Sequence, residues 1–179
     1  MSEHDLKAKW NASSREQSLR DEFIKLFKDC PIPDNELMLN LSLFIKRQDL
    51  SSMLFMHDLY KQIINVHGIV VEFGVRWGRN LALFTSLRGM YEPFNHNRKI
   101  VGFDTFEGFI DFNEEDRGTE NPNLHKKAFN TGEKNYNELL SSIEKYNDER
   151  YLNQFDKVEI VKGNAIKTIP KYLDKNKHL

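Results

Sequence analysis

The chain has 179 residues, a length that fits one domain, or one domain with an N-terminal extension. Apolar residues make up only 39%, yet 13 Phe and 2 Trp supply enough large side chains for a core, which excludes wholesale disorder. With 26 Lys+Arg against 27 Asp+Glu the formal net charge is -1, which excludes the basic field that a dedicated nucleic-acid binder needs.

Residues 1–15 are polar and read as a frayed end. From Ser18 a helical period sets in, with Phe23, Leu26, Phe27 and Cys30 at i, i+3, i+4 and i+7. Pro31 and Pro33 end that helix, and Pro33-Asp34-Asn35 reads as a turn and cap. Residues 36–48 carry two patterns: Leu37, Leu39, Leu41 and Leu43 alternate like a strand, while Leu37, Leu41 and Phe44 suit a helix, the form predicted here. A helix is predicted over about 51–66, with Phe55, Leu59 and Ile63 on one face and Ser51 or Ser52 as its cap.

After His67-Gly68 the texture changes. Ile69 to Phe73 is a nearly continuous apolar run, as in a strand buried on both faces of a parallel sheet. Gly74 to Gly78 is a tight loop, and Asn80 to Met90 a helix with Leu83, Leu87 and Met90 on one side. Ile100 to Phe103 is a second buried strand ending at Asp104, and 107–131 is a long polar loop expected to act as a lid. Tyr136 to Tyr146 is a helix, Val158 to Val161 a third strand, and after Gly163-Asn164-Ala165 comes a short helix broken near Pro170. The order β-α-β-α-β-α implies an α/β fold, a Rossmann-like doubly wound parallel sheet, whose ligands bind beyond the carboxyl ends of the strands.

Those ends carry the chemistry. Gly74 lets the chain turn and brings backbone close to a ligand; Gly78 opens a helix whose free N–H groups favour an anion. The loop is not the dinucleotide fingerprint, because Arg76 stands where a pyrophosphate needs glycine. This disfavours a nicotinamide enzyme. A smaller charged part, such as an amino-acid carboxylate, fits better, and Glu72 would hold a cationic amine. The two glycines alone serve equally as plain turn residues. Asp104, about thirty residues beyond Gly74, is placed to accept from ribose hydroxyls, or else to cap a loop. Phe106 and Phe109 suit stacking on a purine or lining a substrate mouth, with core packing as the plainer role. Asn164 and the backbone at Ala165 suit an adenine edge, and Asn164 equally suits a helix cap.

Three segments resemble the class I S-adenosylmethionine-dependent methyltransferases, and within them the macrocin O-methyltransferase-like group acting on sugars: Gly68 to Asn80 (GIVVEFGVRWGRN), Lys99 to Phe109 (KIVGFDTFEGF) and Val158 to Pro170 (VEIVKGNAIKTIP). Phe44 to Leu50 and the helix at 51–66 are similar to that group's N-terminal cap, so the likeness covers roughly 40–179. The resemblance implies a helical cap over 1–66 and a cofactor domain over 67–179 holding the first three strands of the sheet. It implies that Glu72, Phe73, Gly74, Val75, Gly78 and Asn80 surround the methionine part of S-adenosylmethionine. It places Asp104, Thr105 and Phe106 at the ribose, and Asn164 and Ala165 beside the adenine. The group has Asp where this chain has Asn164, whose side-chain oxygen still accepts from an amino group. The general base and the ligands of a possible Mg2+ are expected beyond Leu179, on a fourth strand.

His67, His96, His125 and His178 have no metal-ligand spacing, and the acids Asp111, Glu114, Glu115 and Asp116 and the Lys-rich tail read as solvated surface. The single Cys30 excludes an internal disulfide framework, and MSEHDLKAKW has no signal-peptide stretch, so a cytoplasmic protein without membrane or nucleic-acid partners is expected. The expected function is methyl transfer to a hydroxyl of a small molecule, a sugar or sugar nucleotide, by a homo-oligomer. The alternative is a half-domain that binds cofactor or another chain without turnover.

Overall fold

The computed structural model describes residues 13–111, 125–149 and 153–177. The chain divides between Phe55 and Met56 into two compact units.

The first unit is helical. Helix α1 (Ser14–Lys28) starts earlier than the apolar period indicates, because Ser13 and Glu16 form a capping box. The Ser13 backbone N–H donates to Glu16 Oε2 at 2.7 Å, and Ser13 Oγ accepts from the Glu16 N–H at 3.3 Å. The S-x-x-E signal straddles the end of the stretch read as frayed, with Ser13 inside it and Glu16 just beyond; residues 1–12 of that stretch lie outside the described residues. The 36–48 segment is mostly helical, as one turn of α2 (Asp34–Leu37) followed by a 3-10 helix, Met38–Phe44. Helix α3 (Arg47–Ile63) follows and runs past the division. It begins four residues before Ser51, so neither Ser51 nor Ser52 is its cap.

The second unit holds the sheet. Three parallel strands, β1 (Val70–Phe73), β2 (Ile100–Asp104) and β3 (Val158–Lys162), lie in the order β1-β2-β3. Val70 pairs with Ile100 and Phe73 with Phe103; Asp104 pairs with Lys162. Helices α4 (Arg79–Tyr91), α5 (Gly132–Asp148) and α6 (Ala165–Lys175) alternate with the strands. On one face Leu81, Leu87, Leu139 and Ile143 close over Ile100 and Val158, joined by Tyr60 from the end of α3. On the other, Tyr172 of α6 packs on Val101 and Phe103. This is a Rossmann-like α/β sheet, and β2 is buried on both faces as its apolar run predicts.

Four expectations are corrected. On α3 the buried residue is Tyr60, while Phe55 and Leu59 are exposed. On α4 Met90 faces solvent and Leu81, Leu87 and Arg88 turn inward. Strand β1 is not covered on both sides: Val71 and Phe73 are 40% and 59% exposed, since α6 sits over β2 and β3. Helix α6 runs through Pro170. The Asn164 cap and the packing of Ile169 and Tyr172 hold it, and the carbonyl deprived of its helical donor belongs to exposed Ile166, where water can serve.

Candidate cofactor-binding site

A cleft of about 330 Å³ opens beyond the carboxyl ends of β1, β2 and β3. That is within the size range of small-molecule sites. Its walls come from four stretches: Phe73 to Arg76, Phe103 to Phe109, Ala128-Phe129 and Gly163 to Ala165.

The loop after β1 is shaped by its alternation of conformations. Gly74 (φ 78°) turns the chain, and its N–H still bonds the Phe103 carbonyl at 2.9 Å, prolonging the β1–β2 ladder. Val75 then drops into the core, where Gly102 of β2 makes room: a Cβ on Gly102 would come within 2.6 Å of Val75 Cγ2. Arg76 takes a left-handed φ of 51°, and Gly78 (φ 83°) caps α4 with its missing Cβ turned toward Leu139.

Asp104 ties this loop to the next. Its Oδ2 accepts from the Arg76 N–H at 2.7 Å and its Oδ1 from the Phe106 N–H at 2.6 Å. Both donors belong to residues in left-handed conformations, which cost free energy in non-glycine residues. The carboxylate therefore holds two strained backbones in place and still borders the cleft. Asn135 of α5 adds a third tie, its Nδ2 donating to the Arg76 carbonyl at 2.8 Å.

Glu72 is in a different condition. Its Oε2 is buried without a hydrogen-bond partner. Burial pushes the carboxyl up to about 7; the Asn80 side chain bonded to it opposes the shift, and the Asp104 charge adds to it.

Of the residues expected at the site, Phe73, Gly74, Asp104, Thr105 and Ala165 line the cleft. Glu72 and Asn80 form a pair behind it, and Gly78 shapes the start of α4. Val75 and Phe106 do not reach the cleft with their side chains, which are buried in the core; Phe106 packs on Tyr136 with ring centroids 5.0 Å apart. Phe109 is the aromatic of that segment that lines the cleft, edge-to-face with Phe129 at 5.4 Å. Asn164 caps α6, its Oδ1 accepting from the Ile166 N–H at 3.0 Å, so that oxygen is committed locally. Thr105 Oγ1 donates to the Gly108 carbonyl at 3.0 Å and accepts from the Glu107 N–H at 3.1 Å, closing a tight turn.

Reasoning from sequence missed Phe129, which no local signal marks, and it treated Arg76 only as an obstacle to pyrophosphate. Of the long loop, 112–124 lie outside the described residues, as do Glu114, Glu115 and Asp116. Its two ends pair with each other: Phe109 N–H donates to the Ala128 carbonyl at 3.1 Å and Lys127 N–H to the Phe109 carbonyl at 2.9 Å. Asp111 meets Lys126 at 3.8 Å. Among the described residues no group of three His, Cys, Asp or Glu side chains is placed to hold a metal ion. No described helix is long and apolar enough to cross a membrane.

Sheet topology and an acidic, glycine-turned first loop put the cleft where ligands of Rossmann-like sheets bind, beyond the carboxyl ends of the strands. The chain is 36% identical to the crystal structure of CalS11, a calicheamicin methyltransferase, with a TM-score of 0.88 over 97% of this chain and 67% of that one. It is 32% identical to the apo structure of CalS11, described as a TDP-rhamnose 3'-O-methyltransferase of calicheamicin biosynthesis, with a TM-score of 0.77 over 97% of this chain and 66% of that one. The chain thus belongs to the class I S-adenosylmethionine-dependent methyltransferases, the family of CalS11. It spans about two thirds of the length of those structures. No protein-family model and no curated sequence matches it.

Proposed function

We propose that this protein is an S-adenosylmethionine-dependent O-methyltransferase whose acceptor is a hydroxyl of a sugar or sugar nucleotide. The observation that carries the cofactor assignment is the buried, unpartnered Glu72 oxygen beside the Gly74 turn. A carboxylate left in that state costs free energy unless a cation meets it, and the cofactor's ammonium supplies one. In this reading Glu72, Gly74 and Asn80 serve the methionine part. Asp104 and Thr105 take the ribose through lone pairs left over from their backbone bonds, and Ala165 borders the adenine. Phe73 and Phe109 supply apolar walls. The acceptor class follows the sugar nucleotide in the description of CalS11. Methyl transfer from the sulfonium needs the acceptor oxygen held in line and deprotonated, so positioning is the larger part of the work.

Binding without turnover is the second reading. Asp104 is the one carboxylate lining the described cleft, and both its oxygens are engaged by backbone amides. Calorimetry with S-adenosylhomocysteine, S-adenosylmethionine and NAD tests the cofactor: saturable binding of the two sulfur ligands and none of NAD is expected, and the reverse overturns the assignment. Transfer of a labelled methyl group to a nucleotide sugar then separates enzyme from binding module.

A further inference from the structure

Arg76 brings a cation to the wall of the cleft. Among the described residues it forms no ion pair. Its guanidinium lies 5.3 Å from the Phe129 ring centroid and 6.0 Å from that of Trp77. Those rings hold the side chain in place and shield it without neutralising it. Its Nε is buried and has no hydrogen-bond partner. The backbone beneath it is fixed at both ends, by Asp104 on the N–H and by Asn135 on the carbonyl, in a left-handed conformation. Gly74, which lines the same cleft, leaves open space where a Cβ would stand. A buried donor with no acceptor is costly, and a planar guanidinium is matched by a carboxylate or a phosphate.

We infer that Arg76 is the anion anchor of the cleft, holding a carboxylate or phosphate group of the ligand through its guanidinium. The inference rests on the cofactor reading above. The carboxylate source is the amino-acid end of S-adenosylmethionine: Glu72 and Arg76, an acid and a base, flank Gly74, each with a buried polar atom that has no hydrogen-bond partner, the pattern a zwitterion satisfies. The phosphate source is the diphosphate of a sugar nucleotide.

Calorimetry on the full chain and its Arg76→Met and Arg76→Lys variants distinguishes them. The probes are S-adenosylhomocysteine and methylthioadenosine, which lacks the amino-acid part, and thymidine diphosphate and thymidine. For the carboxylate source, Arg76→Met weakens S-adenosylhomocysteine about 10-fold or more and leaves methylthioadenosine unchanged. For the phosphate source, the same loss falls on thymidine diphosphate and spares thymidine. Arg76→Lys keeps the charge without the fork and should lose less for the same probe. Equal affinities of both variants and the parent for all four probes overturn the inference. Should Arg76→Met fail to fold, Arg76→Lys decides, since unchanged affinity for both S-adenosylhomocysteine and thymidine diphosphate also overturns it. If the unsubstituted chain binds no S-adenosylhomocysteine, the cofactor reading itself falls and the carboxylate source with it, and a thymidine diphosphate affinity equal in parent and variants then overturns the phosphate source as well.

Discussion

Two carboxylates at neighbouring strand ends stand in opposite conditions. Asp104 is saturated by backbone amides, whereas Glu72 keeps a buried oxygen unpaired. Their variants should therefore fail differently. Removing the Asp104 side chain orphans the N–H groups of Arg76 and Phe106, so Asp104→Ala should cost roughly 1.5–3 kcal/mol of stability per charged bond lost, read by denaturant unfolding, and weaken S-adenosylhomocysteine as well. Weakened binding with unchanged stability would contradict the tethering role. Glu72 has its folded value raised from 4.5 to about 7, so between those pH values the folded chain binds the extra proton. Its contribution to stability is present below about pH 4.5 and is lost as pH rises to about 7. Glu72→Gln should flatten that decline in thermal unfolding. Cofactor affinity should rise from pH 6 to pH 7.5 as Glu72 ionises, and Glu72→Gln should remove the rise. The positions of Glu72, Gly74 and Asp104 were legible because strand ends and turn glycines are local signals. The different states of the two acids were not, since they depend on what folds back from 76, 80 and 106.

At the scale of elements, the contact that sequence reasoning did not foresee lies at the opposite end of the sheet. Arg98, buried just before β2, donates through Nε to Glu92 Oε2 at 2.9 Å. Its other nitrogens bond the carbonyls of Ile63, the last residue of α3, of Val66 beyond it and of Gly68 before β1, all at 2.7 Å. Tyr60 closes the network on Glu92 Oε2 at 2.6 Å. One guanidinium thus ties the end of α3, the entry to β1 and, through Glu92, the end of α4. Burial alone would raise the Glu92 carboxyl, but the bonds from Arg98, Tyr60 and Asn95 outweigh it and hold the group below its ordinary range. That support is present above pH 4.5 and is lost as pH falls through the lower folded value. Arg98→Met should cost about 3–5 kcal/mol by taking the ion-pair partner from the buried Glu92 and the donors from three carbonyls. Gly78→Ala should cost more than ~1 kcal/mol, since φ 83° disfavours any side chain and the new methyl would meet Leu139. A loss below half a kcal/mol in either unfolding experiment would contradict these assignments. Strand and helix order could be read from apolar periodicity, but the inward faces of α3 and α4 only in part: Ile63, Leu83 and Leu87 face the core as expected, while Phe55, Leu59 and Met90 do not. Tyr60 and Arg88 are buried through their polar ends, and a period count that favours Leu, Phe and Met passes over them.

For the molecule as a whole, the open side of β1 matters most. Its outer edge pairs with no strand among the described residues, and Val71 and Phe73 are both exposed, Phe73 the more so. Unpaired strand edges with apolar faces invite association. The 179-residue chain should sediment heavier than a monomer, and Phe73→Lys should shift it toward one; a monodisperse monomer without the substitution would contradict this.

The cleft also has a history within each molecule. Its walls are drawn from residues as far apart as Phe73 and Ala165, with the cross-ties at 104 and 135 between them. Such long-range closures are slow, because the entropy of gathering distant segments is lost before any contact repays it. During synthesis on the ribosome, the Gly74 turn emerges about ninety residues before Gly163 and Ala165, the last wall of its pocket. Cofactor added to a nascent chain should therefore find no site until β3 and α6 have cleared the exit tunnel.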